Sequence, residues 1–218
     1  MNTNTPFVIT ISREVGSGGH TVGAILAERL DARYCDKFLL ETLEKRFNLR
    51  AEEIEHLKGE KKGWLADIVS KVSPMPTMDA LGFKSRYSKE IGSAVTTDDL
   101  FKAEVEILKS FAAMGSCVVA GRSGFFVFKN HPNKLDVFIT ASIQHRIQRV
   151  VSKHGVSEAE AAELINKLDS ARENYVKRYA GVSRYDLRNY DVVISADGHT
   201  EEELADIIIA YIGRNDID

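Results

Sequence analysis

Between Val8 and Gly23 the chain reads V-I-T-I-S-R-E-V-G-S-G-G-H-T-V-G, and these residue types at this spacing are suited to holding phosphate. Gly16, Ser17, Gly18 and Gly19 make a glycine-rich turn between an apolar, β-branched run and a helical pattern. Such a turn lets main-chain N–H groups close on a phosphate, and a helix N-terminus adds partial positive charge. Thr21 lies where a hydroxyl would ligate Mg²⁺. The strict G-x-x-x-x-G-K-[ST] pattern fails twice, with Glu14 at the first glycine and His20 at the lysine. Main-chain amides bind phosphate whatever side chain stands at position 20, so binding and transfer are separate questions. Imidazole is shorter than a lysine chain and, with a reference pKa of about 6.5, is largely neutral at pH 7. A polyphosphate beside it would favour the protonated form, and the helix N-terminus would oppose it.

The elements that must position these residues follow from periodicity. Residues 7–11 (F-V-I-T-I) read as a short buried strand, and Val22, Ile25, Leu26 and Leu30 recur at helical spacing after the turn. A brief second strand is expected at residues 33–35. Three more are expected at residues 117–120, 135–140 and 191–195. Helices are expected over residues 98–113, 143–153, 158–175 and 201–212. Ser157 with Glu160 and Thr200 with Glu203 form capping boxes at the starts of the last two. Strands alternating with helices imply a parallel sheet covered on both faces. Residues 37–97 contain no convincing strand and read as a helical insertion.

Composition narrows the function classes. The 218 residues suffice for one domain with a proper core, at 44% hydrophobic and 28% charged. A net charge of −3 gives no basic field for DNA or RNA. Cys35 and Cys117 lie beside apolar runs and read as reduced, partly buried thiols. No apolar run approaches the roughly 18 residues of a membrane span, and the polar N-terminus lacks a signal-peptide pattern, so a cytoplasmic protein is expected.

Three passages together resemble the cytidylate kinases, and more closely the cytidylate-kinase-like family. They are I-T-I-S-R-E-V-G-S-G-G-H-T-V-G followed by Y-C-D-K; V-V-A-G-R-S-G-F-F-V-F; and L-D-V-F-I-T-A-S through R-I-Q-R and D-S-A-R-E-N-Y to Y-D-V-V-I-S. The resemblance implies a P-loop kinase fold: an α/β domain with a five-stranded parallel sheet flanked by helices. The core would comprise residues 1–36, 98–153 and 189–218, with a helical monophosphate-binding insertion over about 37–97 and a helical lid over about 154–188. It implies Mg²⁺ and ATP, held by Gly16, Ser17, Gly18, Gly19, His20 and Thr21, with Arg149 meeting the donor from an R-x-x-R element that begins at Arg146. Arg122 would grip the acceptor phosphate, a task that suits the two-pronged guanidinium. Asp36 and Lys37 become acceptor or metal contacts.

In the lid region Arg172, Lys177, Arg178, Arg184 and Arg188 are interleaved with Tyr175, Tyr179 and Tyr185. Arg172 and Arg178, then Arg184, are the expected cations for charge spread over a moving phosphoryl group. The expected partner is a small nucleotide, with neither nucleic acid nor membrane. Departures from the pattern are His20, Ala120 and Ser123, where cytidylate kinases have a lysine and two aspartates, and Thr42 near the place of an acceptor-site arginine. Three readings follow: a kinase of a nucleotide or another small acceptor, a nucleotide-binding module without turnover, and another P-loop activity such as hydrolysis.

Overall fold

The computed structural model describes residues 1–35, 37–49 and 96–215. Strands β1 (Val8–Arg13), β2 (Arg33–Cys35), β3 (Cys117–Ala120), β4 (Lys134–Thr140) and β5 (Val192–Ser195) pair in parallel in the order β2-β3-β1-β4-β5. Helices α1 (Gly19–Arg29), α2 (Lys37–Phe47), α3 (Thr97–Ala113), α4 (Gly124–Val127), α5 (Ile143–His154), α6 (Glu158–Ala180) and α7 (Glu201–Asn215), with a short 3-10 turn at Leu187–Asn189, complete the described part. This is the five-stranded parallel α/β sheet expected from the alternation of strands and helices. Asp36, and most of the interval expected as a helical insertion, lie outside the described residues; of that interval α2 and the start of α3 are described.

β1 is central, so its side chains alternate between two cores. Ile9 and Ile11 pack on one face with Val22 and Leu26 of α1 and Leu204 and Ile208 of α7. Val8 packs on the other with Leu39 and Leu43 of α2 and Leu100 and Leu108 of α3. These side chains are all but fully buried, and each such burial contributes about 1.5–3 kcal/mol. The two cysteines are buried free thiols, and burial pushes Cys117 up to about 11.

The elements differ from expectation mainly at their ends. β1 runs two residues beyond Ile11 because β4 offers a partner as far as Arg13, opposite Ile139. α6 continues past Tyr175 to Ala180, and Gly181 ends it in the left-handed region at φ 69°. The box of Ser157 and Glu160 begins α6 as expected, and α3 has a further one from Thr96 and Asp99. Thr200 and Glu203 make the reciprocal bonds at the start of α7.

A buried carboxylate lies inside the sheet, beside the buried Thr10. Asp136 of β4 is 2% exposed, accepts from the Thr10 hydroxyl and the Lys134 ammonium, and donates its own N–H to Asp191. Burial pushes its pKa up from the ordinary carboxylate value. An acid whose folded pKa lies above its unfolded one contributes stability below the unfolded pKa and loses it as pH rises through the folded pKa. Asp136→Asn, which stays neutral, is therefore expected to gain stability relative to the unchanged protein between pH 3 and pH 7. Urea midpoints at several pH values check this, and a gap moving the other way would refute it.

Candidate functional site

In open parallel sheets ligands gather at the carboxyl ends of the strands, where successive connections leave in opposite directions. Here the chain leaves β1 toward the β2 edge and leaves β3 toward β4 on the other side. A cavity of about 170 Å³ opens at that place. The ends of β1 and β3 bring Ser12, Arg13 and Arg122 to it, and α6 with the segment after it brings Arg172, Tyr175 and Arg184. Four arginines around one small cavity could hold an anion.

The loop after β3 is shaped for this task. Gly121, Arg122 and Ser123 all have positive φ, at 78°, 56° and 52°. The left-handed region is costly for residues with a Cβ, and surrounding structure must hold them there. Main-chain bonds from Gly121 N–H to Ile11 and from Gly124 N–H to Gly121 hold the turn, and Glu104 aims the Arg122 side chain. This carboxylate, 1% exposed on α3, lies 3.4 Å from the Arg122 guanidinium and accepts from the Tyr175 hydroxyl at 2.6 Å. Burial first, and the neighbouring Glu104 second, push Tyr175 far above the ordinary phenol value, so it remains a protonated donor. Three elements, α3, the β3 loop and α6, thus meet at the arginine.

A second carboxylate organises the other arginines. Asp169 of α6 accepts from Arg146 at 2.6 Å and from Arg184 at 3.5 Å, lies 3.9 Å from Arg172, and takes the main-chain N–H of Val15 at 3.1 Å. Arg184 also donates to the main-chain oxygen of Arg13, and Tyr190 donates to that of Arg184 at 2.7 Å. Among the described residues, two buried side-chain polar atoms lack a hydrogen-bond partner, Ser123 Oγ and Arg146 Nε. Buried donors are rarely left so in a folded protein, and both belong to this neighbourhood.

The glycine turn lies beside the cavity, outside its lining. Gly18 caps α1 in the left-handed region; no side chain bonds the cap, and no acidic residue occupies the first turn. Glu14, at the first glycine of the strict pattern, has a structural task. It accepts from the Thr140 hydroxyl and from the Ala141 N–H at 3.3 Å, which ties the turn to the end of β4. Arg149 pairs with Glu201 next to Gly18.

The family model described as the cytidylate kinase-like family matches residues 8–197. The chain belongs to the cytidylate kinase-like family. It is 29% identical over 117 residues to a cytidylate kinase of Sulfolobus acidocaldarius, a match covering 53% of this chain and 63% of that one. A cytidylate kinase of Sulfurisphaera tokodaii is 23% identical over 205 residues, 94% of either chain. Among solved structures, a protein of Eubacterium ventriosum superposes with a TM-score of 0.66 at 23% identity, covering 95% of this chain and 98% of that one. Shikimate kinase of Acinetobacter baumannii, solved with shikimate, gives 0.53 at 15% identity, with 99% and 97% covered. At these identities the structural likeness speaks for the fold, which is that of P-loop kinases.

Of the residues singled out in the sequence, Arg122, Arg172 and Arg184 come together at the cavity of this family member. Arg178 does not join them. It lies six residues beyond Arg172, off the face that Tyr175 and Val176 share with it, and it pairs with Asp98 at 3.0 Å while 59% exposed. Arg188 pairs with Asp186 at the surface. His20 is exposed, with Nδ1 2.6 Å from the Tyr34 hydroxyl and its ring stacked on that of Tyr34. Thr21 is exposed in the first turn of α1. Lys37 opens α2 and Thr42 lies on the same helix. Ala120 lines the cavity without a carboxylate.

Sequence reasoning missed Arg13, Glu104 and Asp169. Glu104 had left a signal, because it occupies a helical position among Leu100, Ile107, Leu108 and Phe111, where the pattern calls for an apolar residue.

Proposed function

We propose that this chain transfers the terminal phosphoryl group of ATP to a small phosphorylated acceptor, with a nucleoside monophosphate, cytidylate first, as the acceptor to test. One observation carries the reading: the arginine-lined cavity at the ends of β1 and β3, beside a glycine turn that starts an uncapped helix. The turn fits a polyphosphate, since α1 presents its N-terminus without a capping side chain or an acidic first turn. Thr21 would hold Mg²⁺ together with the donor's phosphates, and the ion would neutralise charge there. Among the described residues no group of three or more His, Cys, Asp or Glu is placed for a metal, so the donor itself would complete the ligand set.

Arg122 binds the acceptor phosphate, aimed by Glu104. Arg172 and Arg184 neutralise charge on the moving group, and α6 limits water at the cavity. The acceptor oxygen is already an anion, so no general base is needed. Its lone pair forms the bond to the γ-phosphorus as the bond from that phosphorus to the β–γ bridging oxygen breaks. The released electron pair stays on the diphosphate product, and no proton changes hands.

A second reading, nucleotide binding without turnover, is favoured by Ala120, which puts a methyl group in the cavity wall where the family resemblance calls for an aspartate. Calorimetry with a nonhydrolysable ATP analogue and with cytidylate, paired with product detection over the common monophosphates, separates the two. Both ligands binding with product formed supports transfer. Binding without product supports the second reading, and a protein that binds neither refutes both.

A further inference from the structure

We infer that Arg13 supplies the cation that bridges the donor and acceptor phosphates, the task a lysine at position 20 would perform. The inference rests on the phosphoryl-transfer reading above and adds a residue that neither the motif nor the family match assigns.

The path of the side chain carries it. A Cβ added to Gly19 would lie 2.7 Å from Arg13 Cβ and 3.0 Å from its Cδ, so the aliphatic stem crosses directly over the end of the glycine turn. A Cβ added to Gly121 would lie 2.7 Å from Arg13 Nη1, so the guanidinium ends against the loop that carries Arg122. The side chain therefore starts at the donor turn and ends in the acceptor cavity, which it lines together with Arg122, Arg172 and Arg184. Gly19 is needed for that passage, because a Cβ there would meet the Arg13 side chain at its base, whereas a Cβ at Gly121 would meet only its movable end. The main chain of Arg13 is fixed as well. It is the last residue of β1, in register with Ile139, and its carbonyl accepts from Arg184.

The other cations near the turn are placed differently. His20 is tied to β2, since the Tyr34 hydroxyl lies 2.6 Å from its Nδ1 and donates to its main-chain oxygen at 3.0 Å. Arg149 is paired with Glu201 beside Gly18. A guanidinium is always charged and has five N–H donors in a fixed fork, enough to serve two phosphates at once. Arg13 forms no covalent bond in the transfer. Its N–H groups bear on the oxygens between which the phosphoryl group moves.

The test is calorimetric titration of the full chain with three probes: a nonhydrolysable imido analogue of ATP, cytidylate, and adenosine joined to cytidine through five phosphates. Arg13→Met is expected to weaken the joined ligand about 20-fold while each separate ligand changes by less than about threefold, because the cation acts where the two meet. Arg13→Lys, which keeps stem and charge, should recover most of the loss, and His20→Ala should change all three by less than about threefold. The assignment is overturned if Arg13→Met, or the equally uncharged Arg13→Gln should the first not fold, weakens the separate ligands as much as the joined one, or leaves the joined ligand unchanged. A larger loss in His20→Ala than in Arg13→Met also overturns it. An unchanged protein that binds none of the probes defeats the transfer reading and this inference together, and the titration of that protein alone tells this apart.

Discussion

Arg122→Ala is expected to weaken acceptor binding by about 100-fold or more, with affinity for an ATP analogue held within about threefold. Charge-assisted hydrogen bonds to phosphate contribute about 1.5–3 kcal/mol each, and a guanidinium makes two of them to one phosphate. The effect should be at least this large because Arg122 is already aimed. Its side chain is only 12% exposed, and Glu104 and Tyr175 fix the surroundings. Arg122→Lys should keep the charge and lose the fork, so it should fall between the two. Calorimetry with cytidylate and the imido analogue of ATP reads both affinities, and an unchanged acceptor affinity in Arg122→Ala would remove Arg122 from the site.

Asp169→Ala is expected to cost about 3–5 kcal/mol of stability, the range for breaking a buried charge network from one side. Its carboxylate holds Arg146, Arg184 and the Val15 N–H, and both arginines are largely buried, at 12% and 4% exposed. Removing it leaves two guanidiniums without their main anion inside the protein. Asp169→Asn keeps an acceptor for the Val15 N–H and should lose less. Added inorganic phosphate or pyrophosphate should restore part of the stability of Asp169→Ala, because the vacated cations gain an anion from solution. Urea denaturation with and without phosphate measures all of this. A loss below about 1 kcal/mol would mean that the arginines find other partners.

The sheet was legible from sequence because its strands are short apolar runs bounded by Gly, Pro and polar residues, and a central parallel strand must be apolar on both faces. The cavity was half legible. Arg122 follows a strand and a glycine, and Arg172 with Tyr175 sits one helical turn apart, so local spacing placed them. Arg13 was hidden by the end of its strand: with β1 expected to stop at Ile11, position 13 fell into the turn, and only pairing with β4 keeps it in the sheet. Asp169 and Glu104 were hidden for another reason. Each acts on partners from other elements, across 15 to 154 residues for Asp169 and 18 to 71 for Glu104, and no local pattern encodes such meetings. His20 shows the converse, since motif position suggested a role whose geometry Tyr34 changes.

The run Gly121–Arg122–Ser123 carries a further consequence for how this protein can vary. Two residues with side chains in the left-handed region cost about 1 kcal/mol or more each, and a β-branched residue there would cost more still. Drift at positions 122 and 123 is therefore confined to a short menu in which glycine, asparagine and aspartate are the easiest newcomers. Novelty in what the pocket admits must then come from its walls, Ser12, Phe125 and Val176, where the main chain carries no such strain.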